Sequence, residues 1–151
     1  MIRRRIIQDL APRRHSVVAI LVVGSRYALQ LRDDRSGISD PGRWSLFGGE
    51  MRRGESQRCA IRRELREELN LRVTGLSELW RVRYYSSFRR AMARAVVFWA
   101  DVSQSWAHHQ LGEGQRAALF DVGRLPSNTV SLTQALLERH ASTVRRGRGP
   151  N

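Results

Sequence analysis

From Ser16 to Gly24 the chain reads SVVAILVVG, an almost unbroken, valine-rich apolar run closed by glycine. Such a run suits a strand buried on both faces. After a turn at Gly24-Ser25-Arg26, YALQLR (Tyr27–Arg32) alternates apolar and polar, as a returning strand should. The next stretch, DDRSGISDPGRW, is loop by composition and leads to Trp44, Leu46 and Phe47, a short apolar segment before a glycine turn at Gly48-Gly49. The period then changes. Ile61, Leu65 and Leu69 recur at helical spacing and predict a helix from an N-cap at Ser56 to about Leu69. Glu55 stands where it favours the helix N-terminus, and Asn70 stands where a left-handed residue after the helix is expected. Further on, LRVTGLSELWRVRYYSSF and RAMARAVVFWADV predict two or three strands, the last two joined by a turn around Phe88–Ala91. Residues 103–118 read as a loop with a short helical end, and LFDVGRLP as an apolar connection. Leu132, Ala135, Leu136 and His140 predict a final helix from about Ser131 to Val144.

These elements alternate without repeat or composition break, so 151 residues make one domain over residues 16–144. Basic stretches flank it, an N-terminal arm at 1–15 and a C-terminal tail at 145–151. No apolar run is long enough to span a bilayer. The N-terminus has arginines but no apolar core segment, and the single cysteine, Cys59, cannot form an internal disulfide; both point to the cytoplasm.

The net charge is +13, and all 27 basic residues are arginine. A GC-rich genome accounts for that choice as well as a function does. The functional reading is an anionic partner, because the guanidinium fork binds phosphate bidentately. Composition does not separate a nucleotide from RNA.

The predicted helix carries Glu64, Glu67 and Glu68 around one direction, about a quarter-turn from its aliphatic line. On an ordinary helix such carboxylates repel by a few tenths of a kcal/mol per pair. A divalent cation reverses the sign, since carboxylate oxygens are preferred ligands of Mg²⁺ and Mn²⁺. E-x-x-E-E alone is usually solvated charge; what surrounds it decides otherwise.

From Gly49 the chain reads G, five residues, Glu55, seven residues, Arg63-Glu64-Leu65, one residue, Glu67-Glu68, one residue, Asn70-Leu71. This resembles the Nudix box, G-x5-E-x7-R-E-U-x-E-E-x-G-U with U aliphatic. Asn70 replaces the family glycine, a mild departure because Asn tolerates positive φ. At background frequencies such a match arises by chance on the order of once per 10⁵ chains or fewer. The preceding Gly42-Arg43-Trp44-Ser45-Leu46-Phe47-Gly48-Gly49 is similar to the family's G-x-W-x-x-P-G-G lead-in, with Phe47 in place of proline.

The resemblance implies an α+β fold, a Nudix-like α/β/α sandwich with a mixed β-sheet. It also implies hydrolysis of a nucleoside diphosphate linked to another group X. Glu64, Glu67 and Glu68 become the expected metal ligands, with the carbonyl of Gly48 as a further one. Gly49 is structural, and Glu55 and Arg63 match the pair that braces loop to helix. Mg²⁺, with Mn²⁺ as substitute, is the implied cofactor. Glu64 is the first choice as base; Glu113, between Gly112 and Gly114, is the downstream alternative, because flanking glycines allow close backbone approach.

Arg32 and Arg43 are candidate phosphate binders. Tyr84, Tyr85, Phe88 and Trp106 offer base stacking, but packing in the core or hairpin is the expected role of each. His108-His109 lacks zinc-ligand spacing and reads as surface loop; Cys59 reads as a small buried thiol. The leading function is therefore pyrophosphohydrolysis of a small nucleotide, with no membrane partner and a homodimer left open. The 5′ pyrophosphate end of RNA is the alternative substrate. A Nudix-fold binding or regulatory module without catalysis is the alternative of another class, and its mutually repelling glutamates argue against it.

Overall fold

The computed structural model describes residues 15–147. Of the two basic flanks, only His15 and residues 145–147 therefore fall within the described part. In chain order the elements are β1 (His15–Val23), β2 (Arg26–Leu31), β3 (Trp44–Ser45), β4 (Phe47–Glu50), α1 (Gln57–Leu69), β5 (Ser77–Ser86), β6 (Ala91–Asp101), β7 (Arg116–Phe120) and α2 (Ser131–Gly147). Single 3₁₀ turns lie at Trp106–His108 and Val122–Arg124.

β1 is the central strand. β6 runs parallel to it along its length, from His15↔Arg94 to Val22↔Asp101. The opposite edge of β1 is shared: β4 takes Ser16–Ala19 and β2 takes Leu21–Val23, both antiparallel. β2 in turn pairs with β7 over Tyr27–Leu31 and with β3 at Gln30 and Leu31. β5 closes the other side against β6. The sheet is thus mixed, as expected. Its edge splits where β2 diverges from β4, and that split opens toward the glycines of the box.

Strand alternation divides the core. Val17, Ala19 and Leu21 face α1 with Phe47, Ile61, Leu65, Leu69, Val96 and Phe98. Ile20, Val97 and Leu29 face α2 with Trp44, Leu46, Leu136 and Leu137. Each such fully buried aliphatic chain contributes about 1.5–3 kcal/mol of hydrophobic stabilisation. The unbroken apolar run of β1 follows from having a helix on each face of the sheet. No helix among the described residues is long and apolar enough to cross a membrane.

Three expectations need correction. The glycine turn is part of strand β4: Gly48 has φ 147° and pairs with Val18. A Cβ there would collide with the Val17 carbonyl, so only glycine lets the strand lie this close. The stretch read as loop and apolar connection contains β7, whose five residues RAALF are too short and do not alternate, so the strand does not stand out without its partner β2. The last helix runs on to Gly147, so residues 145–147 extend α2 instead of beginning a frayed tail. The arginines of that last turn favour continuation, as cations at a helix C-terminus.

Candidate active site

Helix α1 begins where Ser56 accepts the Cys59 N–H through its hydroxyl at 3.2 Å. It ends at Asn70, which is left-handed (φ 52°, ψ 32°) and donates its N–H to the Arg66 carbonyl. A loop from the far side of β6 completes this end. Gln110 N–H donates to the Leu69 carbonyl (2.9 Å), Gly112 N–H to the Glu68 carbonyl (2.8 Å), and Asn70 Nδ2 to Gln110 Oε1 (3.1 Å). Carbonyls that a helix end leaves unpaired are satisfied in this way. Gly112 touches the Glu67 carbonyl so closely that any Cβ would collide with it. The contact carries the neighbouring Glu113 to the cleft over β4.

The three box glutamates do not share one environment. Glu64 and Glu68, one turn apart, point inward and are 8% and 1% exposed; Glu67 is exposed at the rim. Gly48 N–H donates to Glu68 Oε1 at 3.0 Å. Gly49 lies against the Glu64 carboxylate, where a Cβ would stand 2.6 Å from Oε1. Gly49 thus gives the Glu64 carboxylate its room, while Gly48 lets β4 lie close against β1 and turns its N–H to Glu68.

Arg63 organises the remainder. Its Nε and Nη2 grip Glu55 bidentately (2.7 and 2.9 Å), and Nη2 also donates to the Glu50 carbonyl at 3.1 Å. Its Nη1 reaches Glu64 Oε1 at 2.8 Å and Glu67 Oε2 at 3.3 Å. Arg52 adds its backbone N–H to Glu55 (3.0 Å) and its guanidinium to Glu67 (3.3 Å). The hydrogen bonds from Arg63 hold the Glu55 carboxyl down to about 2. This fork ties the loop after β4 to the middle of α1.

Glu68 is the site's unbalanced charge. Its Oε2 is buried without a hydrogen-bond partner. Burial pushes the carboxyl well above its usual range against the pull of the Gly48 N–H, and Glu64 and Glu113 add repulsion. A buried carboxylate without a countercharge costs several kcal/mol unless it is protonated or paired. As the side chains stand, no three His, Cys, Asp or Glu among the described residues surround one point, because Arg63 holds Glu64 and Glu67. The donors nevertheless fit a hard divalent cation. They are all oxygen, they bring excess negative charge, and one of them has no other partner.

Of the three box glutamates, Glu64 alone lines a cleft of about 480 Å³. Gly48, Gly49, Glu50, Glu64 and Glu113 form one end. Arg32 and Arg43 form a wall: Arg32 Nε donates to the Ser39 carbonyl (2.7 Å), and Arg43 Nη2 donates to the Thr129 carbonyl (3.1 Å) with Asp40 3.8 Å away. The end of β5 and the turn after it, residues 84–89, form another wall, and the first turn of α2 supplies Ser131, Leu132 and Thr133. Glu113 and both arginines thus reach the same cleft as Glu64 from four separate elements.

The aromatic expectations divide. Trp106 packs on the α1-side core and stacks on His109 at 4.0 Å, outside the cleft. Tyr84, Tyr85 and Phe88 line the cleft, and Phe88 and Tyr85 are exposed by 54% and 62% instead of packed away. Cys59 is also exposed. The buried stripe of α1 runs through Ala60, Ile61, Glu64, Leu65 and Leu69, leaving Cys59 on the face of Arg62 and Arg66. The ion pair between Arg89 and Glu50, which ties the hairpin tip to β4, was not visible beforehand. Its partners are 39 residues apart and carry no motif.

The family model described as NUDIX domain matches residues 12–143. The chain therefore belongs to the Nudix family and is a Nudix hydrolase. No curated protein matches it. Among solved structures it resembles a MutT Nudix hydrolase from Burkholderia pseudomallei at 23% identity, covering 83% of this chain and 95% of that one with a TM-score of 0.71. It resembles the MutT protein of Methanosarcina mazei Go1 at 19% identity, covering 89% and 96%, TM-score 0.73. It also resembles the NUDIX domain of Shewanella oneidensis NrtR, solved with ADP ribose, at 19% identity, covering 95% and 99%, TM-score 0.72. At these identities the likeness to the solved structures is one of fold.

Proposed function

We propose that this protein hydrolyses the diphosphate of a small nucleotide, a nucleoside diphosphate joined to a group X, with Mg²⁺ or Mn²⁺ held by Glu64, Glu67, Glu68 and the Gly48 carbonyl. The observation that carries this reading is the buried Glu68 carboxylate with its unpartnered Oε2 beside Glu64 and Glu113. A pure binding module has no use for that arrangement. When bound, the ion neutralises phosphate oxygens and makes water a better nucleophile.

The water oxygen forms a bond to one phosphorus, and the bond from that phosphorus to the bridging oxygen breaks. The bridging oxygen leaves with the second phosphate. A carboxylate takes the water's proton. Glu64 is the first choice for that role and Glu113 the second; both border the same end of the cleft. Arg32 and Arg43 hold the phosphates against the wall, and their backbone hydrogen bonds keep each guanidinium in place, which limits the entropy lost on binding. Arg63 is a positioning residue, holding Glu64 toward the cleft while Glu55 holds Arg63.

Glu67→Gln and Glu68→Gln should each abolish metal-dependent release of phosphate or nucleotide and leave the circular-dichroism spectrum unchanged. Unchanged turnover in both variants overturns the reading. A screen of nucleotide sugars, nucleoside triphosphates, dinucleoside polyphosphates and capped RNA, with products resolved by mass, identifies X. The net charge of +13 favours a second reading, the 5′ pyrophosphate end of RNA. That reading predicts rates falling steeply with salt as phosphate contacts are lost.

A further inference from the structure

We propose that Tyr84 and Phe88 form the platform on which the planar base of the substrate stacks, so that the cleft selects base-bearing diphosphates over purely polyanionic ones. The proposal rests on the diphosphate reading above and adds to it the element that recognises the nucleoside.

Register places the rings. Trp80 pairs with Val97 and Val82 with Ala95, both pairs on the α2 face of the sheet, and Tyr84 follows on that same face opposite Ala93. The cleft occupies this face beyond the first turn of α2, so Tyr84, half-buried, is part of its wall. Phe88 sits in the β5–β6 turn, 54% exposed, and also lines the cleft. About half of the ring is therefore left in water. With Tyr84 and Tyr85 lining the same cleft, it belongs to a cluster of aromatic surface of the kind that contacts ligands.

The turn is also held in place. Arg89 pairs with Glu50 and donates its backbone N–H to Ser86 Oγ at 3.3 Å, and Arg90 takes the left-handed conformation that closes the hairpin. Glu50 directly follows Gly48 and Gly49, so the ion pair fixes the aromatic end of the cleft to its carboxylate end. A cleft of about 480 Å³ lies within the range of sites for single small molecules. One cleft thus offers arginines and carboxylates for the phosphates and their cation, and rings for a π-face. Stacking tolerates any base, because every base presents a π-face.

Calorimetric titration with ADP, GDP, CDP and UDP, and with inorganic pyrophosphate as the base-free probe, tests the assignment. Wild-type protein should bind the nucleoside diphosphates at least about tenfold more tightly than pyrophosphate, the worth of a modest base–aromatic stack. Tyr84→Ala and Phe88→Ala should each remove most of that preference and leave pyrophosphate affinity unchanged. Tyr84→Phe and Phe88→Tyr should restore it. Wild-type protein showing no preference for the base overturns the proposal. So do alanine variants that keep the full preference, or that lose pyrophosphate affinity equally. Because the readout is binding, its failure is distinct from a failure of turnover in the glutamine variants of Glu67 and Glu68.

Discussion

Glu68 is the residue at which function and stability oppose one another. Its carboxyl is held above its usual range by burial, so the folded state retains the proton more strongly than the unfolded state does. A raised carboxyl pKa means that stability is lost as pH rises from about 4.5 toward the folded value. Glu68→Gln removes the group that must ionise or stay protonated. In metal-free protein this variant should be more stable than wild type by roughly 1 kcal/mol at neutral pH, and the difference should shrink as pH falls toward about 4.5 and be absent below it. Thermal melts in chelator at pH 7 and pH 4 check it. Asn70 makes a second prediction at this scale. Its φ of 52° penalises a Cβ-bearing residue without a compensating polar group, while its side chain reaches Gln110. Asn70→Gly should change stability by less than about 0.5 kcal/mol, and Asn70→Ala should cost about 1 kcal/mol, both read by urea denaturation.

Between elements, the decisive join is that of α1 with the loop 109–114. The loop caps the helix through Gln110 and Gly112 and sets Glu113 at the cleft. Gly112→Ala forces backbone away from the Glu67 carbonyl, and overpacking of this kind costs about 1–3 kcal/mol. The variant should lose stability in that range and also lose activity, since Glu113 moves with the loop. An assay at a temperature well below the melting point separates the two effects. This join was half legible in advance. Glycines flanking a glutamate suggested close approach, but which backbone they approach depends on the path from β6 to β7, and no local pattern encodes that path. The box helix shows the opposite case. Ser56, Asn70 and the aliphatic spacing are local signals, and the observed helix starts and ends where they place it.

Across the whole molecule, α2 is docked by a buried hydrogen bond as well as by Leu136 and Leu137. Tyr27 Oη and His140 Nδ1 lie 2.8 Å apart, and burial pushes the His140 pKa down and that of Tyr27 up. Tyr27→Phe leaves the His140 nitrogen buried without its partner and should cost about 1–3 kcal/mol at pH 7.5. For His140 the folded value is depressed. Its contribution to stability is therefore present above about pH 6.5 and is lost as pH falls through the lower folded value. Melting curves of both proteins from pH 7.5 to 5 should converge downward as the imidazole takes up its proton.

By itself the sequence determined the box: helix limits, the Glu55–Arg63 spacing, the three glutamates and the glycines before them, together with an α+β fold having a central apolar strand. These are local, set by residues within about two dozen positions of one another, where spacing on a helix translates directly into geometry. Only the tertiary structure decided that Glu68 is buried and Glu67 is not, that Gly48-Gly49 is a strand edge, and that residues 116–120 pair with β2. It also decided that Tyr84, Phe88 and Arg89 line the same cleft as Glu64 and Glu113. Each of these follows from how β1 shares its edge between β2 and β4 and from where the hairpin and the loop 109–114 return. Contacts between residues far apart in the chain leave no periodicity in it, so they become visible only when the sheet is assembled.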